Sequence, residues 1–175
     1  QAPRGARANP LKLTNIADAL AGGPPTPDPA LIDGVLRVGQ KMLLSAPPKV
    51  GKSWLAIDLA AALAAGGRWL CFDCARCTVV YANLEISETS FLIRCDRVFK
   101  SRQFDADDAE PVLAFEGRGY DLDAKAFVDG LVSAWENAGC PEWGCVIVDC
   151  LYQLESGDEN AVKDMRPLVA QLDRL

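Results

Sequence analysis

Apolar and polar positions alternate in blocks from residue 40 to the end of the chain. Four short apolar runs predict buried strands, and a longer segment with apolar residues at helical spacing follows each run. The predicted strands cover residues 42–45, 79–84, 112–115 and 145–148, and the predicted helices cover 53–65, 87–100, 124–138 and 162–175, the last interrupted by Pro167. This alternation indicates an α/β fold, with a mostly parallel sheet flanked by helices on both faces.

The first part of the chain has a different pattern. Residues 1–38 are polar and proline-rich, and the stretch Gly-Gly-Pro-Pro-Thr-Pro-Asp-Pro at positions 22–29 breaks regular structure. We therefore expect an N-terminal arm or linker over residues 1–38, with a short helix at residues 17–20. Residues 39–175 form the predicted folded domain.

The composition excludes several kinds of chemistry. The 175 residues include no histidine, so the chain has no Ser-His-Asp triad, no Cys-His dyad and no histidine ligand for zinc or haem. The net charge of −6 argues against a general affinity for nucleic acid, although it leaves room for a local basic strip.

Cysteine usage and hydropathy favour a reducing compartment. Seven cysteines are an odd number, which fits poorly with a closed disulfide framework. The longest strictly apolar run, residues 59–65, is too short to cross a bilayer, and the N-terminus lacks the apolar core of a signal peptide. We expect a cytoplasmic protein without a membrane partner.

The loop between the first predicted strand and its helix has the strongest chemical signature. It matches the phosphate-binding pattern G-x-x-x-x-G-K-[ST] at every position except the first, where alanine replaces glycine. Backbone N–H groups and the helix dipole favour a bound anion there, Lys52 is placed to reach the outer phosphates, and Ser53 to ligate Mg²⁺. The predicted ligand-binding residues are Ala46, Pro47, Pro48, Lys49, Val50, Gly51, Lys52, Ser53 and Trp54.

Two acidic residues end or follow predicted strands. Asp149 ends the strand at 145–148, and Glu85 follows the strand at 79–84, so both face the ligand crevice at the carboxyl edge of a parallel sheet. Asp149 is suited to hold Mg²⁺, directly or through water, and Glu85 to orient and deprotonate an attacking water. The structural alternatives are a turn aspartate at 149 and a helix-capping acid at 85, and Glu88 is a weaker candidate.

Two further clusters have a structural and a functional interpretation. Cys71, Cys74 and Cys77 form two successive C-x-x-C spacings, which suit a metal site, but buried small apolar residues are the favoured interpretation. Arg94, Arg97 and Lys100 share one helix face at three-residue spacing. They are placed to contact nucleotide or DNA, although a solvated face is favoured.

These motifs together resemble the RecA-like P-loop ATPases, and within them the RepA-type helicase group of plasmids and phages. The resemblance spans residues 31–175 and rests on three segments, at 46–56, 79–85 and 146–149; residues 157–160 also resemble the group. It implies ATP and Mg²⁺ as cofactors, with Lys52 and Ser53 binding phosphate and magnesium. It also implies Asp149 as the magnesium acid and Glu85 as the general base.

The same resemblance implies a hexameric, ring-forming motor that couples ATP hydrolysis to movement on single-stranded DNA during replication. In that family a further strand inserts between the phosphate-loop strand and the strand of Asp149, and sensor residues follow it. We therefore expect the chain to be the nucleotide-binding part of a larger ATPase, with its fold C-terminally incomplete.

Other functions remain compatible with the residues. One alternative is a nucleotide-switched, non-motor assembly module of a mobile element. Another is a P-loop kinase for a small molecule, although the sequence has no clear Arg-rich lid. A metal-dependent redox module built on the cysteine cluster is a further alternative.

Overall fold

A computed structural model describes residues 13–109, 111–119, 123–140, 144–154 and 169–174. Its elements run α1 (Ile16–Leu20), β1 (Ala30–Ile32), β2 (Leu36–Arg37), α2 (Lys52–Ala65), β3 (Arg68–Trp69), β4 (Phe72–Asp73), β5 (Thr78–Asn83), α3 (Glu88–Ser101), α4 (Ala106–Ala109), β6 (Val112–Glu116), α5 (Ala124–Asn137), β7 (Gly144–Asp149) and a 3₁₀ turn, Leu151–Leu154. Residues 155–160, and most of the last predicted helix, lie outside the described residues.

A three-stranded parallel sheet forms the centre of the fold, with the order β6-β5-β7. Three of the four predicted strands are therefore confirmed. The register places Asn83 of β5 opposite Glu116 of β6 on one side and Asp149 of β7 on the other. The carboxyl ends of the three strands consequently form one row of polar side chains.

Helices cover both faces of this sheet, as the alternating pattern predicts. On one face, α2 and α3 pack against Val79 and Tyr81, and on the other α5 packs against Val80 and Ala82. The side chains of α2 are buried nearly all round, because it is rich in alanine and lies between the sheet and neighbouring elements. It ends at Gly66, whose left-handed conformation is favourable for glycine.

Local capping signals fix the starts of the other two long helices. The Ser87 hydroxyl accepts the N–H of Ser90 at the start of α3, and the Asp123 carboxylate accepts the N–H of Ala126 at the start of α5. Such caps satisfy N–H groups that have no partner within the helix. The predicted boundaries are therefore correct to within one residue at these ends.

Helices α2 and α3 are joined at two levels. The Arg94 guanidinium lies 5.5 Å from the centre of the Trp54 ring, and two turns later Arg102 Nε donates to Asp58 Oδ1 at 2.6 Å. The two contacts occur in the same order along both helices, so α2 and α3 run in the same direction. Because α3 starts just after β5, α2 also begins at the carboxyl end of the sheet.

The prediction of a strand at residues 42–45 is wrong. Residues 41–47 have no regular secondary structure, and the Leu43 side chain is 75% exposed. An extended segment is stable as a strand only when a neighbouring strand satisfies its backbone groups. Within the described part of the chain, this apolar segment has no such pairing.

Two short hairpins complete the packing and have no counterpart in the sequence prediction. Strands β1 and β2 pair antiparallel, as do β3 and β4, and Ile32 bridges to Cys74 between them. Leu31, Ile32 and Leu36, which come from the stretch predicted as an arm or linker, are buried in the core around α2.

The start of β7 gives a prediction about stability. A Cβ atom at Gly144 would lie 2.5 Å from the carbonyl oxygen of Thr78 and against the Trp135 ring. We expect Gly144→Ala to lower the free energy of unfolding by about 1–3 kcal/mol, because the neighbouring strand has to move. Denaturant unfolding measures this change.

Gly130→Ala is the matched control, because Gly130 is exposed within α5 and a Cβ there meets no atom within 4 Å. Alanine favours the helix at that position, so the control is expected to gain about 0.5–1 kcal/mol. Equal stabilities for Gly144→Ala and the unmodified protein would contradict the close packing of β7 on β5.

Candidate active site

The loop from Ala46 to Ser53 leads into the first turn of α2. Gly51, the residue before the helix, has a φ of 98°, a left-handed conformation that favours glycine. Since glycine has no side chain to cap the helix, the first-turn N–H groups are left to bind a ligand or water. The loop therefore has the local geometry that an anion site at a helix N-terminus needs.

The Lys52 side chain folds back across this loop. Its Nζ atom donates hydrogen bonds to the carbonyl oxygens of Ala46 at 2.6 Å and Pro47 at 3.2 Å. These contacts hold the ammonium group within the loop. A cation held there is suited to pair with a phosphate group.

A cavity of about 450 Å³ adjoins the loop. Ala46, Gly51, Lys52 and Trp54 line it together with residues from the next turn of α2. Its volume lies within the range of pockets that bind small ligands, roughly 300–1,000 Å³.

Asp149 ends β7 and is 9% exposed. Its Oδ2 atom accepts a hydrogen bond from the Tyr81 hydroxyl at 2.7 Å, and its carbonyl oxygen accepts the N–H of Leu84 at 2.8 Å. Burial, together with the negative charge of Asp149, raises the pKa of Tyr81. Tyr81 therefore remains a protonated hydrogen-bond donor.

Glu85 lies at the same edge of the sheet, two residues beyond β5, and its side chain is exposed. Cys150, which directly follows Asp149, lies beside Glu85. Burial, and then the nearby negative charges of Glu85 and Asp149, raise the pKa of Cys150 to about 12. The backbone hydrogen bond from Leu84 to Asp149 places Glu85 and Asp149 at the same edge of the sheet.

The sequence motifs assign no role to three polar residues at this edge. Beside Tyr81, the fully buried Asn83 donates to Glu116 Oε2 at 2.8 Å. The other Glu116 oxygen is buried and has no hydrogen-bond partner among the described residues, and burial raises the pKa of this carboxyl group. Glu116 ends β6 as Asp149 ends β7, so the pattern of an acid after an apolar run could have identified it.

The basic face of α3 separates into two parts. Arg97 and Lys100 are exposed, and Lys100 pairs with Asp96 one turn earlier. This agrees with the solvated-face interpretation for both residues. Arg94 is half-buried against Trp54, beside the phosphate loop.

The cysteine cluster is mostly structural. Cys74 and Cys77 are buried in the core around α2, whereas Cys71 is exposed. Burial raises the pKa of Cys77 to about 11, which favours the thiol over the metal-binding thiolate. Among the described residues, no group of three or more Cys, Asp or Glu side chains has an arrangement that could hold a metal ion.

Magnesium fits the residues that are present. Mg²⁺ in nucleotide sites commonly binds one or two carboxylates, waters and substrate phosphates rather than an all-protein cage. Asp149 offers a carboxylate whose Oδ2 is already held in place, and Ser53 offers a hydroxyl in the first turn of α2. This donor set suits magnesium that arrives with a nucleotide.

The fold and the site define a class of protein. A glycine-lysine-serine loop at the start of a buried helix, and a parallel sheet with acids at its carboxyl ends, are features of the P-loop NTPases. Residues 7–175 match a family model described as an AAA domain. The chain therefore belongs to this AAA family of P-loop ATPases, and it is a nucleotide-binding ATPase domain.

Two further observations complete this description. No curated protein shows significant similarity to the chain. Within the described residues, no helix is long and apolar enough to cross a membrane.

Proposed function

We propose that this domain binds Mg-ATP and hydrolyses its terminal phosphate, with Lys52 contacting the outer phosphates and Ser53 and Asp149 holding magnesium. The observation that carries the proposal is the placement of Glu85 and Asp149 at one edge of the sheet. The phosphate loop begins α2 at that same end of the sheet. We expect a phosphate chain bound on the loop to extend toward these two carboxylates.

Each residue has a distinct part in the proposed reaction. Lys52 exchanges its carbonyl partners for phosphate oxygens, and Glu85 accepts a proton from the water that attacks the terminal phosphorus. The bond between that phosphorus and the bridging oxygen breaks, and ADP leaves. Magnesium neutralises charge on the phosphates when it is bound.

We further propose that the domain belongs to a RepA-type DNA helicase that acts in replication as a ring-shaped homo-oligomer in the cytoplasm. The resemblance of the phosphate loop, of residues 83–85 and of the Asp149 strand to that group supports this proposal. Single-stranded DNA is the proposed partner.

Product and stimulation assays test this function. We expect release of free phosphate from ATP, with a rate that rises when single-stranded DNA is added. DNA-independent hydrolysis without strand displacement would favour the nucleotide-switched assembly module over the helicase. Transfer of phosphate to a small acceptor would instead identify a kinase.

A further inference from the structure

Tyr81 and Asp149 form a buried polar pair behind the proposed magnesium site. The Tyr81 side chain is 1% exposed, and its hydroxyl donates to Asp149 Oδ2 at 2.7 Å. In the described part of the chain, no residue donates a hydrogen bond to the second carboxylate oxygen, Oδ1. The two oxygens of Asp149 thus have different environments.

The Tyr81 hydroxyl is held rigidly in this position. Tyr81 lies on the central strand of the sheet, and its ring packs on Phe91 of α3 with the ring centres 4.9 Å apart. The neighbouring strand positions Asp149 by backbone pairing opposite Asn83, two residues along from Tyr81. Donor and acceptor therefore come from adjacent parallel strands whose register is fixed.

We propose that Tyr81 is a positioning residue that holds Oδ2 and directs Oδ1 of Asp149 toward magnesium or a magnesium-bound water. The proposal rests on the proposed function and extends it by assigning a role to a residue to which the sequence motifs assign none. Partners that orient a metal-binding carboxylate affect metal affinity because they remove its freedom to turn away. An ordinary core tyrosine would contribute to stability alone.

The test measures ATP affinity by calorimetry in EDTA and in saturating Mg²⁺. The ratio of the two affinities is the magnesium increment. In Tyr81→Phe the ring and its contact with Phe91 are kept, and only the hydroxyl is lost. We expect the increment to fall about tenfold or more, with ATP affinity in EDTA unchanged.

Ser101→Ala is the matched control. Ser101 also donates one hydroxyl hydrogen bond, to the Val98 carbonyl, but it lies at the far end of α3, roughly 20 Å from the first turn of that helix. Its magnesium increment is expected to equal that of the unmodified protein. An unchanged increment in Tyr81→Phe, or an equal loss of affinity with and without Mg²⁺, would overturn the proposal.

A double-mutant comparison separates positioning from general damage. If Tyr81 acts through Asp149, the double variant Tyr81→Phe/Asp149→Asn is expected to have the same magnesium increment as Asp149→Asn alone. A further fall in the double variant contradicts the proposal. If the unmodified protein fails to bind ATP at all, the proposed function itself is wrong, which is a different result.

A spectroscopic measurement serves if Tyr81→Phe does not fold. With 3-fluorotyrosine placed at position 81, the ¹⁹F resonance of the ATP-bound protein is expected to shift when Mg²⁺ is added. The shift is expected to disappear in Asp149→Asn. The proposal would be overturned if Mg²⁺ did not shift the ¹⁹F resonance in the labelled protein that retains Asp149.

Discussion

Replacing Lys52 by alanine is expected to weaken ATP binding about 10- to 100-fold. The lysine ammonium is held in the phosphate loop by the carbonyl groups of Ala46 and Pro47. Its loss removes a charged hydrogen bond to phosphate, which contributes about 1.5–3 kcal/mol. Calorimetric titration with ATP in Mg²⁺ measures the change directly.

Lys125→Ala provides the control for this experiment. Lys125 is an exposed lysine of α5 that pairs with Asp129, on the opposite face of the sheet. The Lys125→Ala substitution removes the same unit of charge as Lys52→Ala, so the general electrostatic attraction of the protein for ATP changes equally in both variants. ATP affinity that is unchanged in Lys52→Ala would refute the phosphate-loop assignment.

Glu85→Gln is expected to keep ATP binding and to lower turnover about 100-fold or more. The amide has the shape of the carboxylate but does not accept a proton from water, and general-base catalysis contributes about 10²- to 10⁴-fold. Steady-state phosphate release measures turnover, and calorimetry measures binding. The separation of the two effects is the signature of a base that acts on the bond-breaking step.

Glu116→Gln is the matched control, since Glu116 also lies at the carboxyl edge of the sheet. It is two strands from Asp149, or about 10 Å across the sheet, and its Oε2 atom is bonded to Asn83. Turnover is expected to stay close to that of the unmodified protein. Normal hydrolysis in Glu85→Gln would eliminate Glu85 as the base, and a large loss in Glu116→Gln would transfer that role.

Elements with a complete local signal could be predicted from the sequence. The helix α2 has a glycine at each end and apolar residues nearly all round, and α3 and α5 begin at Ser87 and Asp123, which cap them. Strands β5, β6 and β7 are apolar runs that end in polar residues. Each of these signals lies within the element or in the residue next to it, so no knowledge of a packing partner is needed.

Elements that depend on a partner could not be predicted in this way. The apolar run at residues 42–45 has the composition of a strand, but composition does not specify what pairs with it. The hairpin of β3 and β4 has two residues in each strand, too few to show a period. Its existence depends on packing against the core.

The residues of the candidate site also divide into those with a local sequence signal and those that depend on a partner strand. The phosphate loop, Glu85 and Asp149 follow from spacing and from the order of strands. The contacts of Tyr81 and Asn83 could not be predicted, because their partners, Asp149 and Glu116, become neighbours only through the register of adjacent strands. An apolar run that contains Tyr and Asn does not reveal which carboxylates they contact.

The two contacts between α2 and α3 have a mechanical consequence. Trp54, next to the phosphate loop, touches Arg94, and the partly buried Asp58–Arg102 pair ties the same helices further along. A sliding movement of α2 past α3 would have to break both contacts. It would leave the partly buried charges of Asp58 and Arg102 without their partners, which is unfavourable. We therefore expect the helix that carries the loop and the helix that follows Glu85 to move together as one rigid unit.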